Sequence, residues 1–538
     1  MTKVKFWNPL TFAVLLLVTS SCSTDILAQD TGRSSNPSLS GLSLVETVRY
    51  TLSNHPNLRI QQQQVNINKG VRQEASAIFD TTFGTSVKRD NLNSPLTHIQ
   101  QSVLPNPALD DQTAGIISTN LYAGKLFRNG ISVSPVLDLA RNTDNLTRST
   151  GVSTSHMGIV VTIPMLRGRG RSIVAAQENA ADLEVDASLY DLNHLLAQLI
   201  VNTASSYWGF VAAKKNLEIA WDAEARGKVY VDSVQTLIDA GHAPKSDINE
   251  VEANRAQRSA TLISAEQQVE VARQQLAVDL GLQSDQILDV SEPSDDFPDP
   301  QGQTEPSDHP AAIREYIGQA LSRRADLLAA QMRERESRSL IKPAEDQSRP
   351  QWDLNLGTGF SGLQEGLNFG QFLSAPWSRI GGADLTMGFT YTFAPRNSSA
   401  HGRTLEAKSR AEQASLVTED TARKISSGVV VAVKAVRNSM EQLKEAHNSV
   451  NAFQSALSAE KEKYRLGIGS IVNILTIEDK LNQASLTEVQ AKLAYAIALV
   501  QLRFATGTLV DTNQSTQVIV RDMFFNVLSK PDANGPVH

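Results

Sequence analysis

Cysteine is all but absent: Cys22 is the single one in 538 residues. One thiol can form neither an internal disulfide nor a CxxC pair, so disulfide scaffolding and thiol redox chemistry are excluded. Long apolar runs are missing as well. Beyond residue 18 no stretch reaches the roughly 18 apolar residues that carry a helix across a bilayer, and the mean hydropathy is -0.23, which argues against a helical membrane protein. There is no basic excess: the formal net charge is -7 and the pI is near 5.8. No positive field gathers phosphates, so no nucleic-acid partner is expected, and Arg167, Arg169 and Arg171 read instead as the water-facing end of a strand. The nine histidines show no HxxxH or HExxH spacing, and the glycine-rich pieces lack the Lys-Ser/Thr of a phosphate loop. No Ser/His/Asp order has local support for nucleophilic catalysis. Neither a metal, nor a cofactor, nor an enzymatic activity is expected.

What is present begins with an export signal. Lys3 and Lys5 precede the apolar stretch Leu10 to Val18, which small and polar residues follow, the layout of a secretory peptide. Two cleavage readings stand side by side. Cleavage after Ala28 would make 1–28 the signal; cleavage before Cys22 would leave that residue to carry lipid. Three places before Cys22 stands Thr19 rather than the leucine usual in a lipoprotein box.

The rest of the chain states one plan twice. Length alone would suggest several domains, but a search for internal similarity comes first. Asn54-His55-Pro56-Asn57-Leu58 has a counterpart in Arg323-Arg324-Ala325-Asp326-Leu327. Gly241 to Glu252 lines up with Gly467 to Glu478 at a shift of 226, and at that shift Ser259 meets Ser485, Leu276 meets Leu502 and Gly281 meets Gly507. Repeats at 41–282 and 311–509 are expected, joined by a Pro- and Asp-rich connector at 283–310 and followed by a tail at 510–538. Between equivalent markers the first copy runs 183 positions (Leu58 to Gly241) and the second 140 (Leu327 to Gly467), an excess of 43 in the first.

After Leu166-Arg167-Gly168-Arg169-Gly170 no proline occurs before Ala240, which predicts a helical arm of roughly 100 Å. Together with its return from Ser246 to Leu280 it makes a hairpin at 172–281, with a second at 401–506. Leu262, Ala265, Val269, Ala272 and Leu276 recur at alternating steps of three and four, a coiled-coil stripe. Ala491, Tyr495, Ala498 and Leu502 repeat it, while Leu486, Val489, Leu493, Ala496 and Val500 make a second stripe, so this helix has two neighbours, as in a ring. Gly241-His242-Ala243-Pro244 and Gly467-Ile468-Gly469-Ser470 mark the turns, with Ser246 and Ser470 as N-caps of the return helices.

The segments at about 78–166 and 350–394 change period from 3.6 to two. Trp352, Leu354, Leu356, Thr358 and Phe360 alternate with polar residues and glycines, as do Leu385, Met387, Phe389, Tyr391 and Phe393. The first copy offers Phe79, Thr81, Phe83, Thr85 and Val87, then Met157, Ile159, Val161 and Ile163. Such ten-residue alternation suits a tilted strand with lipid on one face and water on the other. Ile117-Thr119-Leu121 and Ile131-Val133 flank the turn Phe127-Arg128-Asn129-Gly130 and hold the 43 extra residues, either as a further hairpin in the wall or as an ordered external loop. Four strands cannot enclose a usable lumen, since small barrels fill with side chains at about eight, so the chain must oligomerise.

The whole order, from about Leu42 to Leu509, resembles the TolC-like outer membrane factor family. The most specific pieces are Ile163-Pro164-Met165-Leu166-Arg167-Gly168-Arg169-Gly170-Arg171, similar to that family's strand-to-helix passage, and Tyr464-Arg465-Leu466-Gly467-Ile468-Gly469-Ser470, similar to its turn at the periplasmic tip. The resemblance implies a mixed α and β membrane protein: internally duplicated, with helical hairpins forming an α-barrel and transmembrane strands closed into a 12-stranded β-barrel by a homotrimer. It further implies a seat in outer-membrane lipid with the helices in the periplasm, and docking to an inner-membrane pump through a periplasmic adaptor. Gly241, Asp247, Tyr464, Gly467, Gly469, Ser470 and Asn473 are then the candidate gate and adaptor contact. Family members often carry acids after the tip turn; here Asp247 keeps one, whereas Asn473 and Thr476 do not. Three copies of Asp247 could ring a narrow pore, or Asp247 could simply favour its helix N-terminus. The competing reading is a periplasmic coiled-coil adaptor or scaffold without a barrel.

Overall fold

A computed structural model of the chain describes residues 42–103, 110–146, 150–241, 244–366, 369–378, 380–510 and 519–528, all in one unit, Gly41–His538. Cys22, the signal segment and the turn residues 242–243 lie outside the described residues.

The first half runs α1 (Leu44–Asn54), α2 (Pro56–Ala77), β1 (Thr82–Pro95), α3 (His98–Val103), β2 (Asp111–Leu126), β3 (Ser132–Asp144) and β4 (Val152–Pro164). One turn of helix, α4 (Arg171–Val174), leads into α5 (Ala176–Asp239), and α6 (Asp247–Leu280) returns. The second half has α7 (Pro310–Arg323), α8 (Ala325–Ser339), α9 (Ile341–Asp346), β5 (Gln351–Glu365), α10 (Phe369–Ser374), β6 (Ile380–Thr392), α11 (Ser398–Arg465) and α12 (Ile471–Ala505), before α13 (Asp522–Phe525). The 64 residues of α5 make a helix about 96 Å long.

Each half opens on a helix broken at an equivalent place, by different chemistry. His55 (φ -61, ψ 127) is held out of the helical region by Pro56, and its Nδ1 accepts the Asn57 N–H at 3.1 Å. Arg324 (φ -64, ψ 118) has no proline after it. Its guanidinium instead grips the Asp326 carboxylate at 2.7 and 2.9 Å and donates to the Phe504 carbonyl at 3.1 Å. The glycine ending each return helix is seated on the break of its own half. A Cβ on Gly281 (φ +72) would lie 2.8 Å from the His55 Cα, and one on Gly507 (φ +69) would lie 3.1 Å from the Arg323 carbonyl carbon. Both glycines are left-handed and let the next residue's N–H reach back, Leu282 to Ala277 at 3.2 Å and Thr508 to Arg503 at 2.9 Å.

The strands form one antiparallel sheet in the order β1-β2-β3-β4-β5-β6. The 43 extra residues are thereby located: β2 and β3 pair with each other and with β1 and β4, inside the wall. The chain contributes six strands rather than four, so three copies do not amount to the twelve that the family resemblance implied. Register keeps the two faces apart. The row Thr85, Leu121, Leu137, Met157, Phe360, Ala383 crosses all six strands, and the next row, Ser86, Asn120, Asp138, His156, Ser361, Gly382, crosses them on the opposite face. The ladder between β2 and β3 skips Ala123–Gly124 opposite Ser134–Pro135, where Pro135 has no N–H to give. Four residues expected in strands lie just outside them, Thr81 immediately before β1 among them. Phe79 ends the turn after α2, buried beneath the Arg128 guanidinium 4.7 Å from its ring. Ile131 closes the β2–β3 turn by accepting from the Phe127 N–H at 2.8 Å, and Phe393 follows the end of β6.

The helices pack through the stripes read from their spacing. On α12, Ala491, Tyr495, Ala498 and Leu502 are buried against Val429, Val433, Val436 and Met440 of α11, while its other side packs on α5. Around the break residues, Tyr207 donates to the Leu42 carbonyl at 2.9 Å and accepts from the Asp295 N–H at 3.0 Å, which ties the 283–310 connector to both α1 and α5. Trp208, fully buried beside it, stacks on Phe297 with centroids 5.6 Å apart. Among the described residues no helix is long and apolar enough to cross a membrane.

Candidate functional site

The four long helices end in two turns with different local chemistry. At the second, Gly467 (φ +76) lets the Ile468 N–H return to the Lys463 carbonyl at 3.1 Å, which closes α11. Gly469 then has to be small: a Cβ there would stand 2.8 Å from the Tyr464 nitrogen. Ser470 caps α12 by accepting the Val472 N–H at 3.2 Å. Asn473, one turn on, donates its amide to Glu460 at 3.2 Å. The Lys463 ammonium, 3.0 Å from the same carboxylate, together with Asn473 holds Glu460 below the usual carboxylate range. Tyr464, Gly467, Gly469, Ser470 and Asn473 thus form one contiguous turn.

Gly241 and Asp247 belong to the other hairpin. Gly241 (φ +74) ends α5, and Asp247 is the first residue of α6. Ser246 does not cap α6 as expected. Its backbone is already helical (φ -66, ψ -30), so its hydroxyl donates to the Asp247 carboxylate at 3.2 Å instead. Asp247 therefore stands where a helix N-terminus favours an anion. The two turns are joined by an apolar plug in which Val234, Val251, Leu457, Ile471, Ile474 and Leu475 are buried.

Behind that plug lies a cluster that the sequence reading missed. Glu478 is fully buried, yet it is a carboxylate. Arg226 reaches it with Nε at 2.7 Å and Arg258 with Nη1 at 2.9 Å, while Tyr230 donates its hydroxyl at 3.3 Å. Arg258, itself buried, also donates to the Ala223 carbonyl at 3.0 Å and to Asp479 at 2.9 Å. Burial and the neighbouring Glu478 charge push the Tyr230 phenol up to about 12. Two guanidiniums and a hydroxyl meet the demand of a buried carboxylate for charge and hydrogen bonds. The signal was present in the spacing: Glu478 continues the buried series Ile471, Ile474, Leu475, and Arg258 falls between Val251 and Leu262 at steps of seven and four. A charge inside an apolar stripe requires a partner.

The second functional surface is the sheet. On its polar face Thr162 donates to Asn355 at 2.9 Å, and Asn355 donates to Thr390 at 3.1 Å. Asn120 donates to Asp138, and Ser361 to Asp384. His156 presents the same ring nitrogen to Ser361 at 3.2 Å and to Asp384 at 3.4 Å, whereas a nucleophile relay uses both nitrogens. On the opposite face large apolar groups stand bare, Leu385 at 84% exposure and Met387 at 65%.

The sequence pattern described as outer membrane efflux protein matches residues 316–508. The chain is 24% identical over 210 residues to the outer membrane protein TolC of Salmonella enteritidis, across 38% of this chain and 41% of that one. It is 23% identical over 370 residues to TolC of Escherichia coli K12, across 66% and 69% respectively. The match thus spans less than half the length of the first relative. In fold the chain is similar to the outer membrane channel CmeC of Campylobacter jejuni, with a TM-score of 0.63 at 14% identity, over 88% of this chain and 87% of that one.

Proposed function

We propose, from the premise that the chain is a TolC-like outer membrane efflux protein, that it is the outer-membrane exit duct of a tripartite efflux or type I secretion system. Three copies close the sheet into a barrel in outer-membrane lipid, and the helical hairpins extend into the periplasm as an α-barrel. Transport is passive; an inner-membrane pump supplies the energy and a periplasmic adaptor joins the two. One observation carries this reading: a single sheet with an apolar and a polar face, in direct register through six strands, is attached to paired long hairpins. An apolar face of that extent needs lipid or a partner.

The plugged tip is the gate in this reading. Tyr464, Gly467, Gly469, Ser470 and Asn473, with Gly241 and Asp247 opposite, supply the surface that meets the adaptor. Arg226 and Arg258 of the first hairpin hold Glu478 of the second, which favours the closed packing. With Asn473 and Thr476 where the family often has acids, gating rests on this cluster more than on a ring of carboxylates.

Purified mature chain, reconstituted into planar bilayers, should give discrete conductance steps. Silent bilayers from correctly folded trimer would remove the channel reading. A periplasmic scaffold is the alternative, and it would stay in solution without detergent, which bare Leu385 and Met387 disfavour.

A further inference from the structure

We propose that the wall closed by three copies has eighteen strands, and that the β2–β3 hairpin is what widens it beyond twelve. The inference rests on the channel reading above and adds the width of the passage.

β2 and β3 are interior strands. β2 is paired with β1 from Asp111 to Gly124 and with β3 from Ala114 to Leu126, and β3 is paired with β4 along its length from Ser132 to Asn142. An external loop would not be laddered on both sides. Nor would it need two faces, yet Thr119, Leu121, Leu137 and Leu139 continue the apolar face while Asn120 and Asp138 continue the polar one. Among the described residues the sheet has two free edges, β1 and β6. A long edge strand is a template for another chain; neither edge has an internal proline, β1 meeting one only at its last residue and β6 none, while the charges Lys88, Arg89 and Asp90 lie midway along β1. In an antiparallel meander of six, β1 and β6 run in opposite senses. The β6 edge of one copy therefore meets the β1 edge of the next as an antiparallel pair, the arrangement that membrane barrels use. The occupant of each edge is a second copy of this chain.

The consequence is geometric. With strands about 4.8 Å apart and tilted about 40°, eighteen strands give a backbone diameter of about 36 Å and twelve give about 24 Å. The cross-section roughly doubles. On the polar face a Cβ at Gly388 would meet nothing within 4 Å, and with the wider wall the membrane segment accommodates bulkier solutes than a twelve-stranded one would.

Electron cryomicroscopy of the full chain in lipid nanodiscs provides the test. A trimer with eighteen strands and a barrel near 36 Å is expected. A trimer with twelve, its β2–β3 hairpin lying outside the wall, would overturn the proposal while leaving the channel reading intact; a detergent-free monomer would overturn both. Thiol labelling gives an independent readout that needs no deletion. Asn120→Cys should react with a membrane-impermeant maleimide in liposome-embedded protein, and Leu121→Cys should react at least tenfold more slowly. Equal reactivity at both positions would place β2 in water and defeat the proposal.

Discussion

Arg258 and Glu478, 220 positions apart in sequence, meet at 2.9 Å inside the junction of the two helical hairpins. Each is buried, so neither can turn to water when the other is lost. Removing one member of an isolated buried pair costs about 3–5 kcal/mol, whereas replacing both by packed apolar groups is often neutral; here Arg226 still reaches Glu478 at 2.7 Å, so the loss on removing Arg258 is smaller. Arg258→Ala should therefore loosen the closed tip and raise single-channel conductance, and Arg258→Met with Glu478→Leu should restore the low-conductance state. Unchanged conductance in Arg258→Ala, with slow hydrogen exchange still present across 226–258, would deny the pair a closing role.

The end glycines give a graded test of stability. Gly281→Ala forces a left-handed alanine, at about 1–2 kcal/mol, and also drives a Cβ to 2.8 Å from the His55 Cα. Gly241→Ala bears the same backbone strain but meets nothing within 4 Å. Thermal unfolding should show a clearly larger loss for Gly281→Ala; equal losses would mean that the seat on His55 adds nothing.

Acid should weaken the region where α5 meets α8. His194 lies 4.0 Å from Asp326 and 5.8 Å from the Phe504 ring. Burial pulls its pKa below the ordinary value; Asp326 opposes this and Arg324 adds to it. The unfolded chain therefore binds the proton more readily than the folded one. The contribution is complete above the unfolded pKa near 6.5 and declines as the pH falls from there towards the depressed folded value. Urea titrations at pH 7.5 and pH 5 should show a smaller drop for His194→Gln than for the parent chain. An identical drop would clear His194 of the effect.

The two sheet faces should respond oppositely to one charge. Met387→Arg places a guanidinium among the apolar row, at about 2–4 kcal/mol near the middle of a bilayer. Gly388→Arg points to the polar face, where a Cβ has nothing within 4 Å. The first should reduce assembled trimer on semi-native gels and the second should not. Equal assembly would contradict the assignment of lipid and water.

Much of this was legible in the sequence, because period and punctuation are local. The alternation from Trp352 to Phe360 and from Leu385 to Tyr391 gave β5 and β6, whereas of the α6 stripe Leu276 is buried and Leu262, Ala265, Val269 and Ala272 are half-buried. The role of the 43 extra residues was not legible, since a hairpin in the wall and one outside it both alternate; only pairing to β1 and β4 separates them. Ser246 and Ser470 look alike as letters, yet their backbones differ and only one caps. Glu478 was passed over because a charge on a helix is usually solvated, and its partners come from the other repeat.

The seam between β4 and β5 joins Val152–Glu365 through Pro164–Asp353, and the whole first hairpin and the connector lie between those strands in the chain. The wall is therefore completed late. Until α7 to α9 have been made and docked, the four strands of the first half present β4 as an open edge, bare to any other nascent copy. Such long-range pairing is slow and exposes the chain to aggregation, so a holding chaperone should bind the first half more tightly than the finished chain.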